Sequence, residues 1–365
     1  MDSLGLSELQ RVEAEAIHQR YREEYDKTLA ARTAIHQWGW GDQGRHDDVS
    51  HGYIPYDLPR DELPFSYMRG LDFQRHQVAQ FELIAQLDRG YYAELRGLFP
   101  HRSEAIAALE RQWRRSKWQP TLSTAMGAQV DIMALVETTL GSEALHEQAI
   151  AAALIEWENA IELAIDAMIE ARIEGMIDPY KYRRLALEAR ATTGDYSAVA
   201  LHHSRELIVA RGGLEANERA VNRIAVAIPH DHSDRLRQVW LEAKYPTFWS
   251  KSLEAAAIKS ALAREDLSDD QRVQMEAINS ELDAVRAHMT ATLERLQKPA
   301  LSDDEIIRYW QAMYTWRFSG QEGPPPTRPA AVAFDTAGRE FLEKLKALAA
   351  RAEDVINAGG EGQSQ

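Results

Sequence analysis

Cysteine is missing from all 365 residues. That absence removes disulfides, thiolate catalysis and cysteine-ligated zinc together. It suits an exported bacterial chain and many cytosolic ones alike. No uninterrupted apolar run approaches the roughly 18 residues of a membrane-spanning helix, so no membrane span is expected. Residues 1–20 hold no basic-then-apolar leader. A helix-start signal at Leu6 nevertheless follows Met1 almost at once. The expectation is a periplasmic or otherwise exported chain whose leader has been removed, with a cytoplasmic start as the alternative. Basic charge is in short supply: 42 lysines and arginines face 57 aspartates and glutamates, a net charge of −15. Nucleic-acid partners need a basic surface, so none is expected. A Gly-x-Ser-x-Gly elbow, a Walker loop and a dinucleotide fingerprint are all lacking, and the chain reads as non-enzymatic.

What is present is helical periodicity; alternating strand patterns are scarce. Apolar residues recur at Met275, Ile278, Leu282, Val285, Met289 and Leu296, with Thr292 the one polar break. A second stripe runs Leu154, Trp157, Ile161, Ala164, Met168, Ala171, on a helix expected from about Glu143 to a capping Gly175. Shorter stripes mark Ile17, Tyr21, Tyr25 and Leu29, then Phe81, Ile84, Leu87, Tyr91 and Leu95. Helices of this length cannot cover their stripes alone and must pack lengthwise. The expected fold class is all-α: an elongated bundle of long antiparallel helices with one long irregular loop rich in aromatics and histidine. The expected divisions are an N-terminal helix (1–35), the irregular loop (36–67) and a first bundle part (68–228). A second bundle part (229–318), a Pro-rich linker (319–334), a C-terminal helix (335–358) and a frayed tail (359–365) follow.

One string occurs almost twice. Residues 6–17 read LSELQRVEAEAI and residues 267–278 read LSDDQRVQMEAI, agreeing at eight of twelve positions. Ser7 and Ser268 have the chemistry of N-caps, and Gln10 and Gln271, three residues on, can bond back to them as a capping box. Leu6 and Leu267 are placed to staple onto the first turns, with Val12 and Val273 near the usual partner position. A third version, LSDDE at residues 301–305, carries glutamate in the box. Capping does not account for the shared continuation QRV..EAI, which points to duplication of a packed helix.

The pattern Leu-Ser/Thr-x-x-Gln, followed by a basic residue and an amphipathic helix, resembles the LTxxQ signature of the Spy/CpxP family. Those are small all-helical periplasmic proteins of the envelope stress response, and an ATP-independent chaperone is among them. The residues that carry the resemblance are Leu6, Ser7 and Gln10, then Leu267, Ser268 and Gln271. Serine stands here where the family has threonine, and this chain is larger and more acidic. The resemblance implies a helical fold and chaperone-like binding of other proteins.

Other constellations admit two readings each. His46, Asp47 and His51, with Asp48 between, and His230 with His232 supply imidazole and carboxylate in loops, a donor set suited to a divalent metal. His230 and His232 would point the same way from an extended backbone. Solvated polar loop composition is the plainer account of them. Glu15-x-x-His18 and Glu143-x-x-His146 have the spacing of carboxylate-bridged di-iron bundles but lack the partner glutamates. Trp38, Trp40, Tyr53 and Tyr56 either line a groove for a ligand or plug one end of the bundle; Trp310, Tyr314, Trp316 and Phe318 read as core. No cofactor is expected beyond that possible metal. The leading expectation is a helical protein that binds other proteins, as chaperone or scaffold. A metal sensor or buffer and a structural subunit of a larger assembly are the alternatives, and the heptad helices offer a route to oligomers.

Overall fold

A computed structural model describes residues 6–41, 65–177, 181–246, 253–319 and 323–358. These residues form twelve α-helices and no strand, as the periodicity predicts. Among them no helix is long and apolar enough to cross a membrane. The helices are α1 (Glu8–Gly41), α2 (Phe65–Leu98), α3 (Ser103–Trp118), α4 (Ile132–Leu140), α5 (Gln148–Ile177) and α6 (Lys181–Thr192). Then come α7 (Ser197–Ala227), α8 (His230–Lys244), α9 (Leu253–Leu262), α10 (Asp269–Ala300), α11 (Asp303–Ser319) and α12 (Pro329–Ala358).

Several boundaries differ from those read in the sequence. α1 continues to Gly41, so Trp38 and Trp40 belong to its last turns and not to an irregular loop. α12 starts at Pro329, inside the expected linker, because a proline at the first helical position gives up an N–H that has no partner there anyway. α5 begins at Gln148 after a short 3-10 turn over Ser142–His146, and it runs through Gly175 without being capped by it.

The chain forms two compact units that do not follow chain order. The first combines Met1–Trp118 with Asp166–Glu188; the second combines Gln119–Ile165 with Ala189–Gln365. Two of the crossings fall inside α5 and α6, where no glycine or proline cluster announces them.

In the first unit α1 and α2 run antiparallel. Leu6, Ala14 and Ile17 are buried against Tyr92, Leu95, Phe99 and, from α3, Ile106. An Arg20–Glu94 ion pair crosses the outside of this helix pair. In the second unit α10 lies antiparallel to α12, burying Met275, Ile278, Leu282, Met289 and Leu293 with Phe341, Leu345, Leu348 and Ala352. Val285 and Leu296 of the expected stripe are partly covered, while Arg286 and Gln297 share the buried face. The α5 stripe holds throughout: Leu154, Trp157, Ile161, Ala164, Met168 and Ala171 are all buried.

Both capping boxes form, with nearly the same geometry. Ser7 N–H donates to Gln10 Oε1 at 3.0 Å and Gln10 N–H to Ser7 Oγ at 3.4 Å. The corresponding distances at Ser268 and Gln271 are 3.0 and 3.3 Å. Gln271 does a second job: its Nε2 donates to the Val355 carbonyl at 2.7 Å, tying the start of α10 to the end of α12. The staple does not form as drawn. Val12 and Val273 are 59% and 66% exposed, and Leu6 and Leu267 turn into the interhelical cores instead. The third box is half-formed. Ser302 Oγ caps the Glu305 N–H at 3.2 Å, but Ser302's own N–H is taken by the Pro299 carbonyl. Glu305 instead accepts the Ala330 N–H in the first turn of α12, at 3.2 Å.

The second unit also buries irregular backbone. Asn217, fully buried on α7, accepts from Trp157 Nε1 at 2.6 Å and donates to the carbonyls of Gly127 (2.7 Å) and Val130 (3.0 Å). Gln119 donates to the Val130 carbonyl from the other side at 2.6 Å. Gly127 has φ of 96°, and a Cβ there would stand 2.8 Å from the Lys244 side chain, so both conformation and space demand glycine. Removing the amide takes the acceptor from the Trp157 N–H and one donor from each carbonyl, and a buried partner lost in this way costs about 1–3 kcal/mol. We expect Asn217→Ala to lose about 2–4 kcal/mol in urea unfolding, a loss that Asn217→Gln does not repair because the longer side chain overfills the site.

His203 on α7 stacks on Trp310 of α11, with ring centres 4.6 Å apart, and also meets Tyr314. Burial, helped by neighbouring His202, holds the His203 imidazole below its ordinary pKa of 6.5. The folded protein therefore keeps it neutral while the unfolded chain takes up a proton. Its contribution is complete above that ordinary value and is lost as pH falls through and below it. His203→Phe should flatten the dependence of Tm on pH across this acidic window; an unchanged slope would assign the effect elsewhere.

Candidate functional site

The first unit contains a cleft of about 540 Å³ bounded by α2, α3 and the Asp166–Ile173 stretch of α5. Its walls come from three helices because each turns a mixed face toward the others. Ala85 and Tyr92 line it from α2, Trp113 and Trp118 from α3, and Ile169 and Ile173 from α5. Trp113 is 40% exposed, an unusual position for so large an apolar ring.

The charges around the cleft are already matched. Arg114 pairs with Asp166 across the mouth, and Arg96 pairs with Glu110. Asp88 accepts from Lys117 Nζ at 2.5 Å and from the Tyr21 hydroxyl at 2.7 Å. Both members of the Asp88–Lys117 pair are only 16% exposed. Lys117 Nζ also lies 5.2 Å from the Tyr25 ring and 5.4 Å from that of Trp118. The Tyr21 ring meets that of Tyr91 at a tilt with centres 4.6 Å apart, and the phenols of Tyr21, Tyr91 and Tyr92 are all pushed up from the ordinary tyrosine value by burial first. For Tyr21 the hydrogen bond to Asp88 adds to that rise. A protonated phenol and an ammonium that both donate to one carboxylate make a positioning knot. Both oxygens of Asp88 are engaged, which suits a positioning role better than that of a general base. What the cleft offers a visitor is indole surface and aliphatic wall with a hydrogen-bonding rim, the usual make-up of a binding site.

The residues singled out from the sequence do not come together here. Ser7, Gln10, Ser268 and Gln271 act as caps, and Leu6 and Leu267 as core. His46, Asp47, His51, Tyr53 and Tyr56 lie outside the described residues. His230 and His232 are not on an extended loop but in the first turn of α8. There residues two apart point about 200° from each other, so they cannot share a metal. His230 faces Asp234 at 2.9 Å and His232 approaches Asp231 at 3.8 Å, each as a separate exposed pair. Among the described residues no group of three or more histidine or carboxylate side chains is placed to hold a metal. His18 contacts the Tyr91 hydroxyl at 3.3 Å. Sequence reading passed over Asp88, Trp113, Lys117 and Trp118. The one available signal was the clustering of Trp113 and Trp118 among basic residues, on a helix with too few apolar residues to need both in a core.

Compared with family models, with curated proteins and with solved structures, the chain finds no match. The site therefore has to be interpreted from its own geometry.

Asp88→Ala would leave Lys117 and Tyr21 without their shared acceptor beneath the cleft. A loss of about 2–3 kcal/mol in denaturant unfolding is expected, with Asp88→Asn recovering part of it. Equal stability of Asp88→Ala and the parent would show the knot to be incidental.

Proposed function

We propose that this chain is a non-enzymatic helical protein that binds other polypeptides, as a chaperone or a scaffold, and that it acts after export. The observation that carries the reading is the first-unit cleft, where Trp113 stands half out in solvent above an aliphatic wall. Exposed indole next to Ile169 and Ile173 suits an apolar side chain delivered by an extended or unfolded partner. Aromatic anchors dominate the energetics of such contacts. The paired charges around the rim give polar groups of the partner's backbone somewhere to bond without leaving a buried charge behind. The two LSxxQ helix starts, which resemble those of the LTxxQ family, support the same reading.

The test is suppression of aggregation. Light scattering of a chemically denatured client, diluted into the purified chain, should fall in proportion to the chain added. Trp113→Ala keeps the fold, since the ring is partly exposed, and should weaken suppression several-fold. No suppression at molar excess sinks the proposal, and undiminished suppression by Trp113→Ala removes the cleft from it. Fractionation of the producing cell checks the compartment.

A further inference from the structure

The repeat poses a sharper question once burial is known. Of the eight identities between residues 6–17 and 267–278, Leu6/Leu267 and Ile17/Ile278 are core, and Ser7/Ser268 and Gln10/Gln271 are caps. The other four pairs are Arg11/Arg272, Val12/Val273, Glu15/Glu276 and Ala16/Ala277, and all eight residues are exposed. The buried positions of the two helices keep their register while some of their residues change: Ala14 answers to Met275 and Thr28 to Met289. Identities and changes thus occur both in the cores and on the surface, and the four exposed pairs are the part of the repeat that neither capping nor core packing explains.

Spacings of i, i+1, i+4 and i+5 place the four residues in one contiguous patch on the helix. Valine is a poor choice for an exposed helical position, because its branched side chain loses freedom there and its apolar surface meets water. The patch is also self-complementary. Two such helices laid antiparallel about a twofold axis set each arginine against the other's glutamate, and each valine against the other's alanine, which is small enough to admit it. On α1, Ala16 also borders a shallow groove of about 560 Å³ over Ile17 and Gly97, flanked by exposed Leu98. The heptad stripes cannot serve this purpose, since they are already buried inside each unit.

We propose that the Arg-Val-Glu-Ala patches of α1 and α10 are homotypic docking faces for a second copy of this chain. The proposal stands apart from client binding in the cleft. One patch alone is smaller than the surface a stable dimer buries, so the association is weak singly and strengthened when both patches engage.

Sedimentation or light scattering of the full chain over a concentration series reads the outcome. The wild type should exceed the 41.3 kDa of one chain. Val12→Asp and Val273→Asp should each lower the mean mass, and the double variant should remain a monomer with an unchanged helical circular dichroism spectrum. The swap Arg11→Glu with Glu15→Arg separates the pairings. It leaves α1 paired to α1 intact but breaks α1 paired to α10, which adding Arg272→Glu with Glu276→Arg restores. A wild type that is strictly monomeric up to ~1 mM overturns the proposal. So does a double aspartate variant that keeps the wild-type mass. Client suppression by that double variant stays as in the wild type, so failure here is distinguishable from failure of the binding function.

Discussion

A fully buried carboxamide, that of Asn217, sets the terms for the second unit. A stretch of backbone that is neither helix nor sheet lies inside an all-helical core, and its carbonyls have no ladder to join. Water cannot reach them, so side chains must, and Asn217 with Gln119 supplies the donors. The same amide holds Trp157, the largest fully buried side chain of α5, by its indole N–H. α5 and α7 are thus fixed to each other and to residues 127–130 through one group. Gly127 then lets Lys244 lie flat across the segment and reach Glu218 at 2.7 Å, which permits a lysine that is 1% exposed. The helices around this point pack by area; their relative setting is specified by hydrogen bonds that only one arrangement can satisfy.

The sequence exposed the part of this that depends on period and concealed the part that depends on geometry. The stripes on α5 and α10 were legible because burial of a long helix must repeat every three or four residues, whatever it packs against. The caps were legible because Ser-x-x-Gln solves a local problem with local atoms. Asn217 was invisible, since its partners lie 60 residues or more away in the chain. Arg286 and Gln297 hid for a similar reason. Each occupies a core position on α10 with a residue that pattern reading assigns to solvent, yet Gln297 is met there by the Tyr245 hydroxyl and the Met126 carbonyl. The histidines at the start of α8 misled because Pro229 looks like a break, while in the structure it only precedes the first turn. The cleft was the least legible of all: Asp88, Lys117 and Tyr21 come from three helices, and none belongs to a motif.

The two copies of the repeated helix show how similar starts can lead to distinct pairings. Each lies antiparallel to a partner whose end meets its capped start, and each bears an ion pair at the equivalent position. The polarity is reversed, with Arg20 facing Glu94 in one unit and Glu281 facing Arg351 at 2.6 Å in the other. Exposed pairs of this kind contribute little stability. Their effect is on choice: α1 placed on α12 would set arginine against arginine, and α10 placed on α2 would set glutamate against glutamate. A chain that carries two helices with the same opening needs such a device, because caps and core leucines alone would not tell the partners apart.

Discrimination on one face and identity on another fit a single constraint. Residues that choose the intramolecular partner must differ between copies, as the ion pairs and the buried pairs Ala14/Met275 and Thr28/Met289 do. Residues that face something common to both must not, and the exposed Arg-Val-Glu-Ala patch is shared along with the caps and the core pairs Leu6/Leu267 and Ile17/Ile278. The apolar stripes of α1 and α10 are consumed in building the two units, which leaves their outer faces for the proposed self-association. The cleft answers to a different requirement, a partly exposed indole over an aliphatic wall, and lies among helices that carry no copy of the patch. The proposed client binding and the proposed self-association therefore call on separate surfaces, and a change in one need not disturb the other.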